Sequence, residues 1–208
     1  MSQLDLTSSI VSTETKPPRL PLKWLWFEWS FFSKMLANFE KNRPNEGICW
    51  GTGPAIEFDG GVLGWIQRFW PCDLEYASRI GAMTKTEWLL AFVKRLLKEE
   101  PDHKVIVENH SHPIGSQLSG IDVNGLLALH DWSYDIYWVM VACDFELGVH
   151  VVNQNSNVTK RIPWGVDGIW VERKPEENSE LEMKTNSTTS VFSKANAILQ
   201  RLRRQHSS

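Results

Sequence analysis

The sequence predicts an α/β (α+β) domain with a central mixed β-sheet flanked by helices. Three observations predict it: apolar residues at helical spacing in residues 30–41 and 84–97, short β-branched or aromatic runs between and after them, and glycine and proline punctuation separating the segments. A length of 208 residues, 42% hydrophobic and 23% charged, suits one domain with polar ends.

Residues 1–19 are rich in Ser and Thr and run into Lys16-Pro17-Pro18, a composition that buries little, so a disordered arm is expected. The body, residues 20–172, opens on an aromatic run from Leu22 to Phe32, interrupted by Lys23 and Glu28. That run is far shorter than the ~20 apolar residues of a membrane span. Phe31, Met35 and Phe39, with Phe32 and Leu36, line one face of a helix over residues 30–41 that stops before Arg43-Pro44. Residues 47–51 and 55–58 read as short strands, with Gly60-Gly61 as a turn, and residues 62–83 carry no clear period.

Thr84-Lys85-Thr86-Glu87 matches a capping box that opens a second helix. Trp88, Phe92 and Leu96, with Leu89, Val93 and Leu97, make its apolar stripe, and Pro101 ends it. Residues 104–108 are a β-branched run, and further strands are expected at 136–143, 147–153 and 162–171, with a helix over 122–130. Residues 173–208 are a polar tail with a short helix at 193–204 that carries Arg201, Arg203 and Arg204.

Composition narrows the function. A net charge of −3 disfavours a nucleic-acid partner, because such domains are usually strongly basic. The three cysteines, Cys49, Cys72 and Cys143, form no CxxC pair, so neither a disulfide framework nor a cysteine zinc site is signalled. Without a targeting segment or a membrane-spanning run, a cytoplasmic protein without a membrane partner is expected. The eleven tryptophans speak of large flat side chains but name no chemistry, although Trp50 and Trp65 are candidate walls of a substrate groove.

The chemistry concentrates in one stretch. His110 and His112 follow the β-branched run, and a spacing of two sends both imidazoles to one face, where they can converge on one ion. Asp122, after a glycine-containing loop and at the start of a helix, can add an oxygen ligand. Two nitrogens and one carboxylate leave a tetrahedral position open, as in catalytic zinc sites. Zinc lowers the pKa of a bound water from 15.7 to about 7, and a carboxylate must still carry protons. Glu46 and Glu108 are both candidates on spacing alone. Ser119-Gly120-Ile121-Asp122 also matches a simple helix-start signature.

His110-Ser111-His112-Pro113, followed by Ser119-x-x-Asp122 and preceded by Asn45-Glu46, resembles the JAMM motif of the JAB/MPN metalloproteases, in their prokaryotic deubiquitinase-like form. The resemblance spans residues 22–170 and implies an MPN/JAB (cytidine-deaminase-like) fold. It implies zinc, one per chain, on His110, His112 and Asp122, with Glu46 as general acid/base and Ser119 stabilising the oxyanion. Glu108 then becomes a partner of a ligand histidine. The loop from Pro113 to Leu118 is one residue shorter than the family spacing.

By the same resemblance, the substrate would be a ubiquitin-like protein or its conjugates, cleaved at the C-terminal tail in deconjugation or precursor processing. Activating and conjugating enzymes of a bacterial conjugation or defence operon would be further partners. Two alternatives accompany this reading: a non-catalytic MPN scaffold, and the processing of a sulfur-carrier protein. A DNA-associated, RadC-like member is disfavoured by the acidic balance.

Overall fold

The computed structural model describes residues 20–112, 122, 124–125, 129, 135–144, 149–153, 168–171 and 189–206. The arm at 1–19 lies outside these residues, as do Ser119 and the loop before it. The elements are β1 (Leu22–Phe27), α1 (Trp29–Asn42), β2 (Ile48–Phe58), β3 (Gly61–Ile66), β4 (Arg68–Pro71), β5 (Leu74–Ser78), β6 (Gly81–Thr84), α2 (Thr86–Glu99), β7 (His103–His112), β8 (Tyr137–Asp144), β9 (Val149–Asn153), β10 (Gly168–Val171) and α3 (Thr189–His206). The class is mixed α+β. Eight strands form one mixed sheet in the order β10-β1-β3-β2-β7-β8-β9, with β4 also on β2, and β5-β6 is a separate hairpin.

β2 is the spine of the sheet. The expected pair of short strands is one long strand, because Gly51, Thr52 and Gly53 continue the ladder with β7. On its other edge β2 pairs first with β4 and then with β3, both antiparallel. The reversal after Phe58 uses Asp59 (φ 45°) and Gly60 (φ 71°), the two positive-φ residues a tight hairpin turn demands, so the turn sits one residue earlier than Gly60-Gly61. Between Gly51 and Ala55 the sheet is crowded. A Cβ on Gly53 would stand 1.6 Å from the Trp65 carbonyl oxygen, so only glycine fits.

Strand alternation sorts the side chains into two layers. On one face, α1 sets Phe31, Phe32, Met35 and Phe39 against Leu25, Phe27, Val105, Val107 and Val141. On the other face, α2 covers Trp50, Trp70, Ile106, Trp138 and Met140 with Phe92, Val93 and Leu96. Leu97, expected in that stripe, is half exposed instead. The capping box does not form. The N-cap of α2 is Lys85, without a side-chain cap, and the Thr84 hydroxyl is engaged elsewhere: it accepts from Trp50 Nε1 (3.3 Å) and donates to Cys72 Sγ (3.7 Å).

The C-terminal helix α3 is longer than residues 193–204 and packs on the sheet. Ala195 and Leu199 are buried against Trp24, Trp26, Leu63, Trp65 and Trp170. Trp24 and Trp170 stack at 6.5 Å. Arg203 lies 5.5 Å over the Trp65 ring and 3.4 Å from Glu28 Oε1 at the start of α1, tying the helix to the body. Among the described residues, Trp50, Trp70, Trp88 and Trp138 belong to the α2 layer, Trp24, Trp26, Trp65 and Trp170 to the α3 layer, and Trp29 packs on the α1 side. Trp50 and Trp65 belong to these cores and do not wall a groove.

Candidate metal centre

The C-terminal end of β7 carries the site. The β-branched run extends beyond Glu108, so both histidines lie within the strand, with β2 on one side and β8 on the other. Their rings face the same way with centroids 4.7 Å apart. Asp122, a helical residue, brings Oδ2 to 3.9 Å from His110 Nε2 and 4.0 Å from His112 Nε2. One ligand atom from each of the three lies within 4.8 Å of the others.

These residues fit a metal ion. His110 is only 2% exposed, and neither of its ring nitrogens has a hydrogen-bond partner, a costly state for a buried polar group unless something else satisfies it. Ligand atoms about 2 Å from a shared tetrahedral ion stand about 3.3 Å apart, so shifts of about half an ångström would close the set. Two imidazoles and one carboxylate are a zinc-type donor set.

The carboxylates divide by geometry. Glu108 Oε1 lies 3.6 Å from His110 Nδ1, an ionic contact on the side of the ring away from Asp122. A carboxylate there favours the tautomer with the proton on Nδ1 and leaves Nε2 free to ligate. Burial alone would push the His110 imidazole down, but Glu108, Asp122 and Glu46 together hold it above its ordinary value.

Glu46 precedes β2 and comes to the site from another direction. Its N–H donates to the Ser78 carbonyl at 2.7 Å, and its carboxylate accepts from the Ala82 N–H, so the β5-β6 hairpin holds it at both ends. It is 8% exposed. Burial raises its pKa, His110 offsets part of that, and the Asp122 charge adds to it. A buried carboxyl whose pKa is raised in this way is the kind of group that serves as a general acid/base.

The structure therefore brings together His110, His112 and Asp122, with the charges of His110 and Asp122 acting on Glu46. Sequence reasoning missed Ser111, whose hydroxyl accepts from the Gly47 N–H at 2.9 Å while its own N–H donates to the Gly47 carbonyl at 3.0 Å. The signal was the alternation itself, which turns the residue between two ligands to the opposite face.

No protein-family profile matches the chain, and no curated protein matches it. Among solved structures, it is similar to the solution structure of a protein from Desulfitobacterium hafniense, with 16% identity, 73% of this chain and 95% of the other covered, and a TM-score of 0.46.

Proposed function

We propose that the chain is a zinc-dependent isopeptidase or peptidase with an MPN/JAB fold, acting at the C-terminal tail of a ubiquitin-like protein to release it from conjugates or to process its precursor. The observation that carries this reading is the convergence of His110, His112 and Asp122, with the buried Glu46 close enough to His110 and Asp122 to feel their charges. The order of elements supports the fold reading: α1, Glu46, the β2-β3 hairpin, α2, the histidine strand and a helical Asp122.

His110 and His112 through Nε2, and Asp122 through Oδ2, would hold the ion. Zinc bound there supplies Lewis acidity, which makes water nucleophilic near neutral pH and polarises a carbonyl. Glu46 takes the proton of the attacking water on its carboxylate and returns it to the leaving amine. Glu108 keeps His110 in the ligating tautomer. Ser119, outside the described residues, is assigned the oxyanion contact by the resemblance alone. An extended tail laid along a strand edge would present its scissile bond with main-chain hydrogen bonds, which suits glycine-rich C-termini. A bacterial cytoplasm with a conjugation system is the setting proposed, and the free thiols of Cys49, Cys72 and Cys143 suit a reducing compartment.

The test is metal analysis of the purified chain together with cleavage of ubiquitin-like fusions and conjugates. About one zinc per chain is expected, and Glu46→Gln should keep the metal while losing cleavage. A chain that binds zinc and cleaves none of these substrates would instead be a scaffold. If Glu46→Gln cleaves like the parent, the assignment of the base is wrong.

A further inference from the structure

Ser111 sits between the two histidines on β7 and is 1% exposed, with its side chain on the α1 face of the sheet. The β2-β7 ladder pairs Ile48 with His110 and Cys49 with Asn109. Continued past the end of β2, that register sets Gly47 opposite Ser111 and Glu46 opposite His112. A regular antiparallel pair would exchange two main-chain hydrogen bonds. Here one is kept, from Ser111 N–H to Gly47 O, and the Ser111 hydroxyl takes the Gly47 N–H in place of a carbonyl. The ladder ends there, because the Glu46 N–H turns away to Ser78. Behind it, Asn38 Nδ2 donates to the Ile48 carbonyl at 3.0 Å, and the Asn42 side chain crowds Gly47, where an added Cβ would meet it at 3.1 Å.

We infer that Ser111 is a positioning residue for Glu46: its hydroxyl carries the strand register beyond the last regular pair and so fixes the Glu46 carboxylate against the ligands on the opposite face of β7. The inference rests on the proposed hydrolytic role of Glu46. The same two-residue step that aims His110 and His112 at one ion aims Ser111 at the backbone that carries the base. The Gly47 N–H is buried, so removing the hydroxyl leaves a donor that must find another partner, and the chain beside Glu46 shifts to provide one.

The experiment compares the full chain with Ser111→Ala and with Ser111→Thr, which keeps the oxygen. Four readouts are taken: exchange protection of the Gly47 amide, zinc affinity measured with zinc alone, the paramagnetic shift of the Glu46 side chain in cobalt-loaded protein, and kcat and KM on a ubiquitin-like fusion. Ser111→Ala should lose Gly47 protection and move the Glu46 shift while holding zinc within about threefold of the parent. Its kcat should fall about 10- to 100-fold at unchanged KM, the scale expected of a misplaced catalytic group. Ser111→Thr should restore all of these.

A Ser111→Ala chain with an unmoved Glu46 shift or parental kcat overturns the inference. So does a loss of zinc affinity in step with kcat, which would make Ser111 a mere support of the metal strand. If the zinc-loaded parent cleaves nothing, the proposed function fails, while the amide and cobalt readouts still decide whether Ser111 sets the place of Glu46.

Discussion

Removing the Glu108 carboxylate is the perturbation that separates its role from that of Glu46. Glu108 Oε1 stands 3.6 Å from His110 Nδ1, whereas Nε2 of the same ring points to Asp122 at 3.9 Å. The imidazole thus lies between Glu108 and Asp122, which suits Glu108 to orienting a ligand rather than to handling a water beside the proposed ion. Loss of a carboxylate partner of a ligand histidine typically costs 10–100-fold in metal affinity, or about 1.4–2.7 kcal/mol. Glu108→Ala should fall in that range, and Glu108→Gln should lose less because it keeps an acceptor oxygen facing Nδ1. Competition with a chromophoric zinc chelator reads the affinity directly. At saturating zinc, both variants should recover most of the parental cleavage. If Glu108→Ala binds zinc like the parent yet cannot cleave, Glu108 is the base and the division of labour is reversed.

Thr52 offers a test of the sheet beneath the site. Its hydroxyl accepts from Trp70 Nε1 at 3.0 Å and shares a hydrogen bond with His103 Nδ1, also at 3.0 Å. Thr52→Val orphans both buried groups and should destabilise by about 2–4 kcal/mol in urea unfolding, with Thr52→Ser much closer to the parent. The same network makes a pH prediction. Burial, with help from Arg68 and against Glu100, lowers the His103 imidazole, so the unfolded chain takes up a proton that the folded one resists. Stability from this residue is therefore full above about pH 6.5 and is lost as pH falls through the lowered folded value, and His103→Gln should flatten that slope. Leu199→Ala, on the buried face of α3, should cost about 2–5 kcal/mol in thermal unfolding. Gly53→Ala should fail to give folded protein by circular dichroism, since its Cβ meets the Trp65 carbonyl.

What was legible in the sequence followed periodicity. Phe31, Met35 and Phe39 at four-residue spacing marked α1 closely, and the two-residue spacing of His110 and His112 marked a shared face. Glu46 was legible only as one of two carboxylates, because its approach depends on the distant Ser78 and Ala82. Residues 62–83 were opaque because β4, β5 and β6 are only 4 or 5 residues long, too few for a period to show. Thr84 read as a cap by local pattern, yet Trp50 and Cys72, far away in sequence, offered its hydroxyl other partners. The tryptophans of β1 had no visible purpose until α3, about 170 residues on, covered them.

The setting of β7 between β2 and β8 bears on what the proposed ion would add to the fold. In a zinc finger the metal and the fold arrive together, and a chelator unfolds the chain. Here the histidine strand is pinned on both edges by neighbours whose cores owe nothing to metal, so two of the three proposed ligands would already be ordered before any ion binds. Stripping zinc should leave the amides of β7 among the slowest to exchange and the melting transition cooperative. Adding it back should raise the transition only by mass action, in proportion to the logarithm of free zinc over its dissociation constant. Under the proposed function, such a protein would persist as an intact apo-form and be armed by the supply of metal alone.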